Sequence, residues 1–525
     1  MKYPIGIQDF ESLRKDGYSY VDKTALIYKL VTEGRYYFLS RPRRFGKSLL
    51  VSTLSAYFEG KRELFDSLAI ATLEKEWVKR PVLHLDLNTA DYQQPGSLVS
   101  LLNNYLLKWE RLYGKGEGED TLPLRFLGVI ERAAEQSGHR VAILVDEYDK
   151  PLLQTLDNAE LQKEFRNTMK AFYSVCKTQD RYIKLALFTG VTKFSKVSVF
   201  SDLNNLKDIS MDLRYTSLCG VTEEELHRDF DTEVEAFALA NGMTKDECYA
   251  RLKRQYDGYH FCEDSAGVYN PFSLLNALDA QRLRNYWFET GTPTFLVEVL
   301  QKNDYALNDL TSETVGAEDL TGLDTAMRNP VPLIYQSGYL TIKSYDAEFE
   351  IYHLGYPNKE VEEGFANFLL PYYTPLPKKE GRFFVASFVE DLRKGNVQGF
   401  MTRLQAIFAD GSYTVQGDRE LYFQNCMAVI LKMLGFYVEV ERTTSDGRID
   451  VTIQTRDHVY IMELKRDGTA DEAIQQIRDK RYADAFLADS RTLHIIGIAF
   501  SSDSRRLQEW KADTLSEDAA IPKHL

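Results

Sequence analysis

Between residues 36 and 200, short apolar runs alternate with longer stretches of helical spacing. The runs at Tyr36–Ser40, Pro81–Leu87, Val141–Val145 and Tyr182–Thr189 are almost continuously apolar. A strand with one wet face alternates apolar and polar positions. A strand buried on both faces does not, so this pattern predicts a parallel sheet covered by helices on both sides. Residues 210–300 read as mostly helical, and Thr222-Glu223-Glu224-Glu225 has the form of a helix start. Strand-like character returns over 330–355, at Gly338-Tyr339-Leu340-Thr341-Ile342. Pro371, Pro375 and Pro377 punctuate an expected linker. From about residue 383 a helix-rich stretch leads into a hairpin at 449–465, a helix at 470–487 and a strand at Leu493–Phe500.

Length divides this pattern into parts. A chain of 525 residues exceeds what one hydrophobic core supports, so about two to four domains are expected. A hydrophobic share of 44% with 27% charged residues indicates packed cores rather than disorder. The net charge of −14 excludes a broad non-specific grip on nucleic acid, so any DNA contact must come from a local basic patch or through bound metal. The cysteines Cys176, Cys219, Cys248, Cys262 and Cys426 form no C-x-x-C pair, which argues against a disulfide framework or a zinc site. No apolar h-region follows Met1, and no apolar stretch approaches the ~18 residues of a membrane span. The expectation is a cytoplasmic protein with no membrane partner.

The first candidate chemistry lies at Ser40-Arg41-Pro42-Arg43-Arg44-Phe45-Gly46-Lys47-Ser48. This segment follows an apolar strand and precedes an apolar-periodic helix, the context a P-loop requires. The backbone N–H groups of Arg44, Phe45, Gly46, Lys47, Ser48 and Leu49 are placed to cradle phosphates at a helix N-terminus. Lys47 would neutralise the β- and γ-phosphates of ATP, and Ser48 would reach Mg²⁺. The general motif has a second glycine where Arg41 stands, so the tripeptide alone also reads as a glycine-kinked surface turn. Downstream, Val141–Val145 ends in Asp146-Glu147. At the C-terminal edge of a parallel sheet, Asp146 is placed to hold Mg²⁺ through water and Glu147 to orient or deprotonate the attacking water. Thr189, or Thr192 after it, is placed to sense the γ-phosphate.

The second candidate is the pair of strands Gly447–Ile453 and Tyr460–Lys465. If Gln454 pairs with Val459, Asp450 falls opposite Glu463, with Lys465 on the same face as Glu463. Two adjacent carboxylates call for a divalent cation between them, and hard oxygen ligands suit Mg²⁺ or Mn²⁺. Lys465 would position water or stabilise charge on phosphate. The alternative is a solvent-facing hairpin with a cross-strand salt bridge.

The segments Pro4–Phe10, Tyr20–Thr24 and Tyr36–Ser48 resemble the AAA-ATPase-like family whose members carry a C-terminal PD-(D/E)xK domain. Thr189–Ser210, Tyr256-Asp257-Gly258-Tyr259 and Tyr286–Gly291 resemble it as well. In that family an arginine at the Arg41 position is usual. The hairpin resembles the PD-(D/E)xK nuclease core, with Ile449 in place of proline. That resemblance makes Glu420 the additional acidic residue and Gln476 the glutamine of the following helix, with Tyr482 after it.

The implied fold class is α/β. It comprises an AAA/STAND-like P-loop NTPase at 1–210, a helical and winged-helix-like region at 211–375, and a nuclease-like α/β core at 380–525. The implied function is an ATP-binding and ATP-hydrolysing protein that controls a metal-dependent DNA endonuclease, with a role in defence or mobile-element biology. The alternative is a STAND-like nucleotide-gated switch whose idle nuclease fold only binds nucleic acid or protein. Arg181 and Arg214 are candidate arginine fingers of a homo-oligomer. Arg41, Arg43 and Arg44 read either as phosphate or DNA contacts or as a solvated basic loop. His84 reads as a core histidine, and Tyr335–Ile342 as part of a winged-helix-like insert or as packing.

Overall fold

The computed structural model describes residues 1–194, 199–200, 202–203, 205–290, 294–303, 305–307, 314–317, 320, 329–374, 381–410, 419–435, 437–445, 448–486, 490–500 and 507–515. The chain divides into two compact units. One holds Met1–Gly291 and Thr311–Glu362, the other Thr292–Leu310 and Glu363–Leu525.

In the first unit, β1 (Tyr36–Ser40), β2 (Val82–Asp86), β3 (Val141–Asp146), β4 (Ile183–Gly190) and the short β5 (Lys207–Asp208) form one sheet in the order β2-β3-β4-β1-β5. Every neighbouring pair is parallel. The four strands foreseen from apolar runs all appear; burial on both faces keeps the runs of β1, β3 and β4 continuous, with all six residues of β3 buried, whereas the edge strand β2 is buried only alternately. Strand β5 is two residues long, too short to leave a pattern. His84 departs from expectation. It sits on β2, at the sheet edge, and is exposed rather than packed in the core.

The middle of this unit is helical. A capping box between Thr222 and Glu225 starts the helix Glu223–Asp229, as the sequence pattern suggests. Helices Asp231–Ala240, Lys245–Tyr256 and Pro271–Ala280 then bury Val234, Phe237, Leu252 and Leu274 in one cluster. Strands β6 (Thr314–Gly316), β7 (Thr341–Asp346) and β8 (Ile351–Gly355) make a small antiparallel sheet. The strand expected from Gly338 begins only at Thr341. Residues Val331–Gln336 form a helix instead, with Pro332 in its first turn, where a fixed φ favours helix. Gly338, at φ +90°, turns the chain out of that helix.

Pro371 does not open a linker. It lies inside the helix Lys359–Tyr373, in its last turn, where it leaves one backbone hydrogen bond of the helix unmade. Pro375 and Pro377 lie outside the described residues, as do Gly291 and Gly447.

The second unit carries β9 (Glu439–Ser445), β10 (Arg448–Gln454), β11 (His458–Arg466), β12 (Thr492–Phe500) and β13 (Leu507–Leu515), in the order β13-β12-β11-β10-β9. The β10–β11 hairpin has the expected register, Gln454 opposite Val459 and Asp450 opposite Glu463. Strand β12 pairs parallel with β11 through the crossover helix Ala470–Asp479. That helix stops short of residue 487: Arg481 adopts a left-handed φ of +57°, and a 3₁₀ turn, Tyr482–Phe486, follows. Strands β9 and β13 were not legible, since both lie at sheet edges and are rich in charge and threonine. Gly497, on β12, permits close approach of the crossover helix; a Cβ there would stand 2.2 Å from the Ala470 carbonyl oxygen.

On the opposite face of this sheet, His458 Nδ1 lies 3.2 Å from His494 Nε2, and His494 Nδ1 lies 3.1 Å from Thr514 Oγ1. His494 is 5% exposed and stacks on Tyr460 at 4.8 Å. Burial, with His458 adding to it, pushes the His494 pKa down to about 4. The unfolded chain therefore takes up a proton near pH 6.5 that the folded chain refuses. Stability is full above that pH and falls as pH drops toward 4. We expect urea melts to show this unit losing about 2 kcal/mol between pH 7 and 5. His494→Gln should flatten that slope, and an unchanged slope would refute the assignment.

Candidate functional site

The C-terminal ends of β1, β3 and β4 lie side by side in the first unit, and the nucleotide-type residues gather there. Gly46 adopts φ +93° immediately before the helix Lys47–Phe58, a conformation glycine takes without strain. Lys47 is only 4% exposed. Its Nζ donates to the carbonyl oxygens of Arg41 at 3.1 Å and Pro42 at 3.3 Å, and lies 3.6 Å from Glu147 Oε1. Thr189 Oγ1 donates to Asp146 Oδ1 at 2.6 Å, which holds that carboxylate at the strand end. Glu147 has a left-handed φ of +53°, uncommon outside glycine and frequent at sites where strain serves function. Ser48 and Leu49 open the helix beside this group and are half-buried.

Two acids at this edge were missed in the sequence. Asp86 stands opposite Asp146 in the β2–β3 register, and burial raises its pKa. It ends an apolar run as Asp146 does, so strand ends were the available signal. Asp149 is fully buried and accepts from the Val191 N–H at 3.1 Å, the Thr192 N–H at 2.6 Å and the Thr192 hydroxyl at 2.6 Å. Burial first, and the charge of Glu147 second, raise its pKa. Thr192 is thereby committed to Asp149, which leaves Thr189 as the hydroxyl next to Asp146. Nothing in the spacing marked Asp149; it depends on a fold contact to the loop after β4.

Beside Gly46 opens a cleft continuous with solvent. Apolar side chains wall it, among them Leu13, Val21, Leu49, Leu218 and Leu275. Ser19 Oγ belongs to this lining, buried and, among the described residues, without a hydrogen-bond partner. Largely apolar walls next to a phosphate-type loop, with the Ser19 hydroxyl and the Glu225-paired Lys23 among the lining, fit a nucleoside. The donor set at the strand ends, a serine hydroxyl with two carboxylates, fits a hard divalent cation.

The arginines of the loop divide. Arg41 is 1% exposed and is neither a phosphate contact nor part of a solvated loop. Its guanidinium donates to the carbonyl oxygens of Ser40, Ser210 and Tyr215 and stacks 3.9 Å over Phe261. Arg43 and Arg44 are exposed. Of the two candidate fingers, Arg214 pairs with Asp212 at 2.6 Å, while Arg181 lies 3.3 Å from Glu131.

In the second unit, Glu463 is fully buried, so the hairpin is not a solvent-facing one. Gln476 Nε2 donates to Glu463 Oε1, and Lys465 Nζ donates to Gln476 Oε1. Lys465 Nζ itself lies 3.9 Å from Glu463 Oε1. Asp450 stands opposite Glu463 by backbone register, and Glu420 belongs to the first turn of the helix Arg419–Gly435. The side chains of Asp450 and Glu420 lie outside the described residues. Gln476 reaches Glu463 because its helix packs on Gly497, the register partner of Glu463 on β12. The Glu463 carboxylate is itself a hard oxygen donor of the kind Mg²⁺ or Mn²⁺ takes.

Fold and sites define a P-loop NTPase module joined to a nuclease-type sheet. Residues 4–200 match the family model described as "Predicted AAA-ATPase", and residues 418–510 match that of the PD-(D/E)XK nuclease superfamily. A protein of Azotobacter chroococcum mcd 1, described as "Uncharacterized protein in vnfD 5'region", is 37% identical over 527 residues, covering 98% of this chain and 99% of that one. The solved structure of the Aeropyrum pernix ORC2 protein in ADPNP–ADP complexes covers 78% of this chain and 96% of that chain, at 11% identity. Its TM-score of 0.22 is too low to bear on the fold. The chain belongs to the AAA-ATPase-like family with a C-terminal PD-(D/E)XK nuclease superfamily domain. Among the described residues, no helix is long and apolar enough to cross a membrane.

Proposed function

We propose that this chain binds and hydrolyses ATP and that its nucleotide state controls metal-dependent cleavage of DNA. In this reading residues 1–210 form the ATPase, 211–375 the region that responds to it, and 380–525 the nuclease. The nucleoside lies in the cleft beside Gly46, with its phosphates on the N–H groups of Arg44–Leu49. Lys47 leaves its carbonyl partners for the phosphates. Ser48 and Asp146 hold the divalent cation, Glu147 orients water, and Thr189 keeps Asp146 in place.

The observation that carries the nuclease half is the hydrogen-bonded chain that runs from the buried Glu463 through the half-buried Gln476 to Lys465. Removing a carboxylate from water costs several kcal/mol, and an apolar residue there would be at least as stable. Such groups are kept where chemistry needs them. Asp450 and Glu463 would hold a Mg²⁺ or Mn²⁺ ion, which when bound supplies Lewis-acid activation at a phosphodiester. Gln476 fixes the Glu463 carboxylate and the Lys465 ammonium in one line. Lys465 then stabilises the charge that grows on phosphate oxygen, and Glu420 adds an outer acidic group.

The test uses supercoiled plasmid with Mg²⁺ or Mn²⁺, with and without ATP. Nicked or linear product should require the metal and change in amount with ATP. Protein that binds ATP but cuts nothing under any of these conditions would leave the nucleotide-gated switch with an idle nuclease fold as the reading. Cutting that ignores ATP would remove the proposed control. The setting expected for such a protein is defence or mobile-element biology.

A further inference from the structure

Three segments of the middle region found no role in the nucleotide site as drawn from the strand ends: Tyr256–Tyr259, Tyr286–Trp287 and the chain around Gly338. All three meet the P-loop. Tyr259 packs on Phe45 with ring centroids 4.8 Å apart. Gly338 lies so close to Pro42 that a Cβ would stand 2.6 Å from the proline ring. The indole Nε1 of Trp287 donates to the Arg43 carbonyl oxygen at 3.1 Å. One further contact is made by backbone: the Gly220 N–H donates to the Phe45 carbonyl oxygen at 3.2 Å.

These hydrogen bonds act on peptide planes. A trans peptide is planar, and its C=O and N–H point in opposite directions. An indole that draws the Arg43 carbonyl to one side therefore turns the Arg44 N–H to the other. Gly220 does the same to the plane that carries the Gly46 N–H. Among the described residues, neither of these N–H groups has an acceptor. Arg44, at φ +70°, and Gly46, at φ +93°, flank Phe45. Such reversals of handedness turn successive N–H groups toward one concave side, which binds anions. In a glycine-rich loop the backbone finds this shape with little steric resistance. Here the loop reads R-P-R-R-F, and Arg44 must be held in a conformation that a side chain disfavours.

We infer that Trp287 is a positioning residue for nucleotide phosphate: its indole N–H sets the Arg43–Arg44 peptide so that the Arg44 N–H faces the phosphates. Trp287 is fit for this. It is 6% exposed, its own N–H donates to Glu360 Oε1 at 2.8 Å, and its ring packs on Tyr339 at 5.1 Å. The inference rests on the ATP-binding reading above and makes the middle region part of the phosphate site.

The experiment is calorimetric titration of the full chain with ATP and, separately, with adenosine, for wild type and Trp287→Phe. Phenylalanine keeps an aromatic ring and removes the donor. ATP affinity should fall about tenfold while adenosine affinity stays within about twofold, since only phosphate meets the displaced N–H. Equal losses for both ligands would mark a packing defect and overturn the inference, as would unchanged ATP affinity. A wild type that takes no ATP sinks the nucleotide reading itself, whereas ATP binding that ignores Trp287→Phe sinks this inference alone. Should the variant fail to fold, hydrogen exchange on the wild type decides. ATP should slow exchange at residues 218–221 and 286–290, and unaltered exchange at both counts against the linkage.

Discussion

Lys47→Ala should lower ATP affinity by roughly 100-fold or more, about 3 kcal/mol, as read by calorimetry. The magnitude follows from burial. Lys47 is almost wholly enclosed, and its ammonium is surrounded by carbonyl oxygens and Glu147 rather than water. A charge in that setting meets phosphate with little screening, so its loss is felt in full. The same surroundings give a control. Without the lysine, the Arg41 and Pro42 carbonyl oxygens lose a donor and Glu147 loses a counter-charge, so the nucleotide-free variant should also melt slightly lower. If ATP affinity is unchanged in a folded variant, the loop is not a nucleotide site.

The second large effect concerns the hairpin. Glu463→Ala and Lys465→Ala should each reduce metal-dependent plasmid cleavage by roughly 10³-fold, about 4 kcal/mol in the barrier. Neither should unfold the unit. Glu463→Ala removes a buried charge along with its hydrogen bond, and these terms offset each other. Lys465 is held by one amide oxygen and its loss leaves the strand pairing intact. Gln476→Ala should fall between, because it breaks the link from Lys465 to Glu463 without removing either. Cleavage that persists in both principal variants, with melting temperatures unchanged, would move the chemistry elsewhere in the chain.

Much of this was open to reading in the sequence, for physical reasons that differ by element. The strands of the parallel sheet are legible because double burial leaves uninterrupted apolar runs, as in Val141–Val145. The Asp450–Glu463 pairing is legible because period-two geometry and a short turn leave one register. What could not be read depends on contacts between distant segments. Arg41 looked like a basic loop residue, yet its guanidinium is spent on carbonyl oxygens of Ser210 and Tyr215. Asp149 is meaningful only beside the loop after β4, and Trp287 only beside Arg43. The edge strands β9 and β13 carry charge that hides their strand character.

The first unit is built from two stretches of chain, interrupted by residues that belong to the second. This has a consequence for how the protein is made. Glu360, which fixes the Trp287 backbone, and Gly338, against which Pro42 rests, are synthesised some three hundred residues after the loop they steady. During translation the P-loop strand can pair with its neighbours early, but the phosphate cradle cannot be complete until the chain past residue 360 has left the ribosome. A fragment ended near residue 210 or 290 would therefore keep the nucleotide motif in its sequence and lack the parts that shape it.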